Sequence, residues 1–202
     1  MTRYRFEGRI AGVGSTSGVR VVVGHWTTSP LGSFADAMVE TAAGHRVLLA
    51  PSEEVADFVA ATYTFDEVRI EPITVTGNAW VWQVGSPSLS LMIGLGGRTV
   101  LGRMLSLLPA SVATHPAWAS AADPISRVVL RGVRTRGVAQ PGRREWYGAS
   151  DVHAVVRISG SFDDADLGAL AAVDPPCRFG FSSTPRRPSV TDVVTTVDVA
   201  GP

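Results

Sequence analysis

Valine, isoleucine, leucine and tryptophan alternate with polar residues through most of the 202-residue chain. A period of two sends successive side chains to opposite faces of a sheet, so these runs predict short strands punctuated by glycine and proline turns. They fall at 3–12, 18–26, 33–41, 45–50, 66–76, 79–85, 88–95, 126–139, 144–158, 177–183 and 190–199. Gln140-Pro141-Gly142 reads as a turn joining two of them into one long hairpin over 126–158. Two stretches follow helical spacing instead. At 52–63, Ser52 caps, Glu53 and Glu54 occupy the first turn, and Val55, Phe58, Val59 and Thr62 form one face. At 99–108, Val100, Leu101, Met104, Leu105 and Leu108 make an apolar stripe that needs a covering surface. A third, shorter helix is expected over 163–173. Residues 109–124, with His115, Pro116, Trp118 and Pro124, have neither period and suit a crossover between two halves of a barrel. The expected fold is mainly β, a β-rich α+β arrangement: an antiparallel barrel or cone-like sheet with two or three helices, in one domain spanning 1–202.

Composition narrows the chemistry. The chain is 45% hydrophobic and 18% charged, outside the range of disordered segments. Eighteen basic residues balance eighteen acidic ones, which leaves no field to gather nucleic acid or anionic membrane surface, and neither is an expected partner. All the basic residues are arginine, so lysine Schiff-base chemistry and a Walker-type phosphate loop are excluded. Cys177 is the single cysteine, which forbids an intrachain disulfide or a multi-thiolate zinc site. No signal-peptide pattern opens the sequence, and no run reaches the roughly 20 apolar residues of a membrane helix. A cytoplasmic location is the expectation.

Several positions carry possible chemistry. Phe34, Asp36, Met38 and Glu40 share one strand face, with Ala35, Ala37 and Val39 on the other. Asp36 and Glu40 lie about 13 Å apart at the usual strand rise, too far to cooperate directly as acid and base. In a barrel they would line the hollow; in an ordinary sandwich they would be solvated. Asp66, Glu67, Arg69 and Glu71 read as a charged, wet strand face, and Trp80 and Trp82 as a core wall or an aromatic lining. Arg134 and Arg136 share a face beyond a bulge near Gly132, where a guanidinium could grip a carboxylate. Asp151 and His153, two apart on one face with Tyr147, offer an oriented imidazole but no nucleophile. His25, His45 and His115 are scattered without a metal-ligand spacing, so no metal and no cofactor is expected. Gly12, Gly14 and Gly18 precede a strand rather than a helix and read as a hairpin. Cys177 alternates with Phe179 and Phe181 and reads as a small buried hydrophobe.

Three stretches together resemble the acetoacetate decarboxylase-like superfamily. Ser29-Pro30-Leu31-Gly32-Ser33-Phe34 leads into the strand ending at Glu40. A hairpin follows to Arg46-Val47-Leu48-Leu49-Ala50-Pro51. Late in the chain, Glu145-Trp146-Tyr147-Gly148 through Cys177-Arg178-Phe179-Gly180-Phe181-Ser182 is similar to the closing strands of that group. The resemblance implies a cone-shaped barrel with a central cavity. The family's decarboxylation passes through a lysine Schiff base, and with no lysine in this chain that step has no position to fall on. What the resemblance leaves is the cavity: Asp36 and Glu40 to accept hydrogen bonds or a proton, Arg69 and Arg134 to hold an anionic group, and Trp82 as an apolar wall. Whether the chain is an enzyme stays open at this level. The leading expectation is a protein that binds a small organic acid or carbonyl compound. The alternatives are a lysine-independent hydrolase or lyase using the carboxylate and histidine groups, and a homo-oligomeric interaction protein, a homodimer through the 99–108 helix.

Overall fold

The computed structural model describes residues 2–107, 136–140, 143–180 and 184–199. In chain order the first elements are β1 (Thr2–Ser15), β2 (Arg20–Thr28), β3 (Phe34–Glu40), β4 (Arg46–Ala50) and α1 (Glu53–Ala60). Then come β5 (Glu67–Ile70), β6 (Thr74–Gly77), β7 (Val81–Gly85), β8 (Leu89–Arg98) and α2 (Val100–Leu105). The last are β9 (Arg136–Gln140), β10 (Arg143–Phe162), β11 (Ala165–Asp166), β12 (Leu170–Ala171) and β13 (Ser189–Val199). One sheet runs β5-β4-β3-β2-β1-β13-β10-β8-β7-β6, with β9 and β11 on β10 and β12 on β1.

That sheet curls strongly. β2 and β7 are five steps apart in its order, about 24 Å on a flat sheet at the usual strand spacing. Yet the rings of His25 and Trp82 lie 5.8 Å apart, so the two ends of the sheet face one another. Alternation decides what fills each side. Ala11, Val13, Val21, Val23, Ala35, Ala37, Val39, Val47 and Leu49 point into the curl and pack with Trp82, Val84, Leu91 and Ile93 from the other end. The opposite face carries Val22, Met38 and Leu48, covered by Val55 and Ala56 of α1 and by Val173, Cys177 and Phe179 of the segment before β13. Both faces of β3 are therefore buried.

α1 begins as its sequence predicts, with the Ser52 hydroxyl accepting from the Val55 amide and Glu53 and Glu54 in the first turn. It joins β4 to β5, which pair in parallel, Val47 opposite Glu67; a helical crossover is the ordinary way to connect such strands, and the pair is an exception to the expected antiparallel order. The single strand expected at 66–76 is broken in two because Pro72 has no amide to continue a ladder, and Ile73 turns into the core. The helix expected over 163–173 is absent. Asp163 and Asp164 both take positive φ, 48° and 60°, forming a two-residue turn that pairs Phe162 with Ala165; short polar side chains tolerate that region and primed turns demand it. Of the strand expected at 177–183, residues 177–180 are not a strand either, and 181–183 lie outside the described residues. Cys177 and Phe179 do point inward, but the Arg178 amide donates to the Glu40 carboxylate at 2.7 Å rather than to a neighbouring strand. Of the strand expected at 126–139, residues 136–139 fall in β9, which pairs with β10; the remainder lies outside the described residues. α2 sets Gly102 against β10, where any side chain would meet the Val152 backbone and the Asp151 carboxylate. Val100 and Met104 of its apolar stripe are exposed, and Leu108 lies outside the described residues. Among the described residues no helix is long and apolar enough to cross a membrane.

Candidate functional site

The described chain holds a cavity on the sheet face turned away from the inner core. Its floor comes from β1, β2, β3, β10 and β13, and its roof from α1 and the turn after it. The space in which the centre of a water molecule fits is about 60 Å³, roughly four to six waters, enough for a small organic molecule. Most of the wall is apolar: Ile10, Val22, Met38, Val59 and Val197 beside the rings of Phe6, Trp26, Phe34 and Phe58. Phe6 is the hub, 5.8 Å from Trp26, 6.4 Å from Phe34 and 5.0 Å from Phe58. Trp26, Phe34 and Phe58 are partly exposed and form its rim.

Polar groups enter at two places. On the β3 side stands Asp36, 5% exposed. Its Oδ1 accepts from the Trp26 indole nitrogen at 2.8 Å, and among the described residues no guanidinium or imidazole reaches it. Burial pushes its carboxyl up to about 7, against the smaller opposing effects of the Trp26 bond and a backbone amide. Gly24 makes the arrangement possible. It lies opposite Asp36 in the ladder, and a Cβ there would come within 2.4 Å of Asp36 Oδ1 and 2.6 Å of the Trp26 nitrogen. The indole therefore lies back across the bare glycine to reach the acid.

On the β10 side, Tyr63 donates to the Glu145 carboxylate, 3.2 and 3.1 Å from its two oxygens. The Tyr63 and Tyr147 hydroxyls are hydrogen-bonded to each other; with the Tyr63 proton directed at the carboxylate, Tyr147 is the donor of that pair. Enclosure and the neighbouring Glu145 charge raise Tyr63 well above the ordinary phenol. Beside Tyr147 in the ladder is Thr195, itself opposite Phe6. It is 3% exposed, and its hydroxyl has no hydrogen-bond partner among the described residues. Buried polar atoms are paired in the great majority of cases, so a lone one facing a cavity marks a place for a ligand atom.

Of the candidate ligand-binding residues Asp36, Glu40, Arg69, Trp82 and Arg134, Asp36 alone among those described lies on this cavity. Glu40, two positions beyond Met38, is fully buried beneath it, held by Arg20 at 3.0 Å and Arg178 at 2.8 Å. Trp82 points to the other face and belongs to the inner core. Arg69 reaches Glu67, Ser88 and Asp163, and lies 5.5 Å from the Phe162 ring centre. Arg134 lies outside the described residues. The four described residues are thus not brought to one place. Asp151 and His153 do meet, at 3.3 Å, but Arg98 takes the same carboxylate at 2.9 and 2.7 Å. Despite burial, Arg98 and the Val152 amide hold Asp151 below its usual range. That pair is away from the cavity and reads as an anchored surface cluster. Cys177 is buried, its thiol pushed up to about 12 by burial and the Glu40 charge, and is unsuited to nucleophilic work.

Trp26, Tyr63, Glu145 and Thr195 had no visible signal as a group. They come together through cross-strand register and the roofing of α1, neither of which a single strand's alternation reveals. Tyr147 was noted only for sharing a face with Asp151 and His153.

No family model matches the sequence, and no curated protein matches it. Solved structures do show a similar overall path. An acetoacetate decarboxylase from Legionella pneumophila subsp. pneumophila aligns over 99% of this chain and 88% of its own, with a TM-score of 0.42 and 8% identity. Another acetoacetate decarboxylase structure aligns over 98% and 88%, with a TM-score of 0.44 and 9% identity. The mainly β, strongly curled sheet is the architecture expected from the sequence. At this identity the likeness concerns the fold alone.

Proposed function

We propose that this chain binds a small organic molecule with an apolar body and an oxygen function, a carbonyl compound being the best match, held without a covalent bond in the cavity beneath α1. The observation that carries the reading is the Thr195 hydroxyl, buried and unpartnered in a cavity walled mainly by aromatic and aliphatic groups. A hydroxyl in that position donates naturally to a ligand oxygen, while the rings take the hydrocarbon part. Of the two ligand classes expected from the sequence, the carbonyl fits better than the organic acid. Asp36, on the cavity wall, has no cation beside it among the described residues, so an anion would meet repulsion in a poorly solvated place.

Ligand-dependent melting tests the proposal, because a molecule that binds only the folded chain raises its melting temperature. Millimolar butanone should raise it, butyrate should raise it less, and Thr195→Val should weaken the butanone effect. If neither compound shifts the transition, the cavity is only a packing gap.

A further inference from the structure

Among the described residues, Asp36, Glu40, Glu145, Asp151 and Asp198 are acids buried on strands, and three of them contrast sharply. Glu40 has two guanidiniums and Asp151 has one. Asp36 has an indole N–H and a backbone amide but, among the described residues, no cation. An uncompensated carboxylate away from water is costly, and two accommodations exist: it takes up a proton, or a cation comes to it. The described residues supply Asp36 no cation, yet they shape its surroundings with care, placing a bare Gly24 under the indole so that Trp26 can reach the acid. The rings around the site form a mutually packed set, with Trp26 and Phe34 6.5 Å apart and each within 6.4 Å of Phe6. Aromatic faces carry negative electrostatic potential and attract an organic ammonium, most strongly where water is excluded.

We propose that the Asp36 end of the cavity recognises a basic nitrogen, so that the molecule bound here is a small amine whose ammonium sits against the Asp36 carboxylate among Trp26, Phe34 and Phe6. This deepens the preceding proposal and rests on it: the apolar body and oxygen function occupy the remainder of the cavity, and the nitrogen is the added recognition element. A carboxylate ligand is excluded by the same charge that draws the amine. A metal ion is a poor occupant, since Asp36 is one ligand with no other beside it on β2 or β3. The other titratable groups on the cavity wall are Tyr63 behind α1 and Glu145 and Tyr147 on β10; β1 and β2 contribute none.

Binding an ammonium requires the ionised acid, and Asp36 titrates near 7 when the cavity holds no cation. Calorimetric titration of the full chain with butylamine and with butanone at pH 6, 7 and 8.5, backed by melting curves, is the experiment. Butylamine is protonated throughout this range. Its affinity should rise about tenfold from pH 6 to 8.5, with the midpoint near 7, while that of butanone should not rise. Asp36→Asn, which keeps an oxygen for Trp26, should weaken butylamine at pH 8.5 by at least about tenfold and leave butanone nearly unchanged. Butanone binding with butylamine weak, indifferent to pH or insensitive to Asp36→Asn overturns the amine assignment and leaves the cavity reading standing. Neither compound binding removes both.

Discussion

Asp36 and Glu40 occupy the same face of the same strand, one residue of that face apart, and both are almost wholly buried. Their surroundings are opposite. Glu40 sits where β3 meets the segment before β13, and Arg20, Arg178 and the Arg178 amide converge on it. Asp36 opens onto a cavity and has an indole N–H. Burial alone therefore does not distinguish a structural acid from a functional one; what separates them is whether the chain itself supplies the counter-charge. Glu40 is a tie between distant segments. Asp36 is left with an unmet requirement at the wall of a space large enough for a ligand.

Removing Glu40 should have the largest effect. Glu40→Ala leaves the Arg20 guanidinium buried, 7% exposed as a side chain, with its charge uncompensated, and frees the segment that roofs the second core. Breaking such a pair from one side costs about 3–5 kcal/mol, to be read from the urea midpoint. A loss no greater than that of an exposed acid would show that Glu40 is not a tie and dissolve the contrast.

Asp36→Asn should act in the other direction, and only in one pH window. Because the folded carboxyl is raised to about 7, the folded state prefers the proton. Its contribution is intact below the unfolded value near 4 and is lost as pH rises through 7. The asparagine variant should therefore match the parent at pH 4 and exceed it progressively up to pH 8, by at most about 4 kcal/mol. Melting curves across that range decide it. A variant less stable than the parent at pH 8 would mean that the acid has an undetected partner, and Asp36 would join Glu40 as structure.

How much of this could be read from the chain follows from the range of each signal. Strand alternation is local, and it located β1 to β4, β7, β8 and β13 closely; the Ser52 cap and the two glutamates likewise marked the start of α1. The Asp163-Asp164 turn was hidden because aspartate is compatible with a helix start as well as a primed turn, and only the pairing of Phe162 with Ala165 selects between them. Asp36 and Glu40 were legible as an odd pair on a half-apolar face. Which would be neutralised was not, since Arg178 comes from 138 residues away. Trp82 shows the same limit: alternation gave its neighbours on β7, whereas the curl of the sheet decided which core received it.

Gly24→Ala should be milder and sharpens the site from its neighbour. The added methyl would stand 2.4 Å from Asp36 Oδ1, so the indole and the acid must part. Losing one hydrogen bond to a charged group, with some strain, costs about 1–3 kcal/mol. Without the Trp26 donor, which favours the ionised form, the titration of Asp36 should move further upward. Carboxyl NMR would follow it. An unmoved titration would mean that the indole bond does not govern this acid.

The smallest change in stability belongs to Thr195→Val, yet that substitution divides the cavity most finely. Valine keeps the shape of threonine and replaces a hydroxyl that has no partner. Removing an unpaired buried polar atom relieves a desolvation penalty, while the β-branched form suits the strand as well as before. The empty chain should therefore be unchanged or more stable, within about 1 kcal/mol, in contrast to Glu40→Ala. Butanone binding should still fall, because the hydroxyl is the proposed donor to its oxygen. Butylamine, seated at the other end, should bind as before. If Thr195→Val instead destabilises the chain by several kcal/mol while butanone binds undiminished, the hydroxyl is part of the packing and the polar end of the cavity must be assigned to Tyr63, Tyr147 and Glu145 alone.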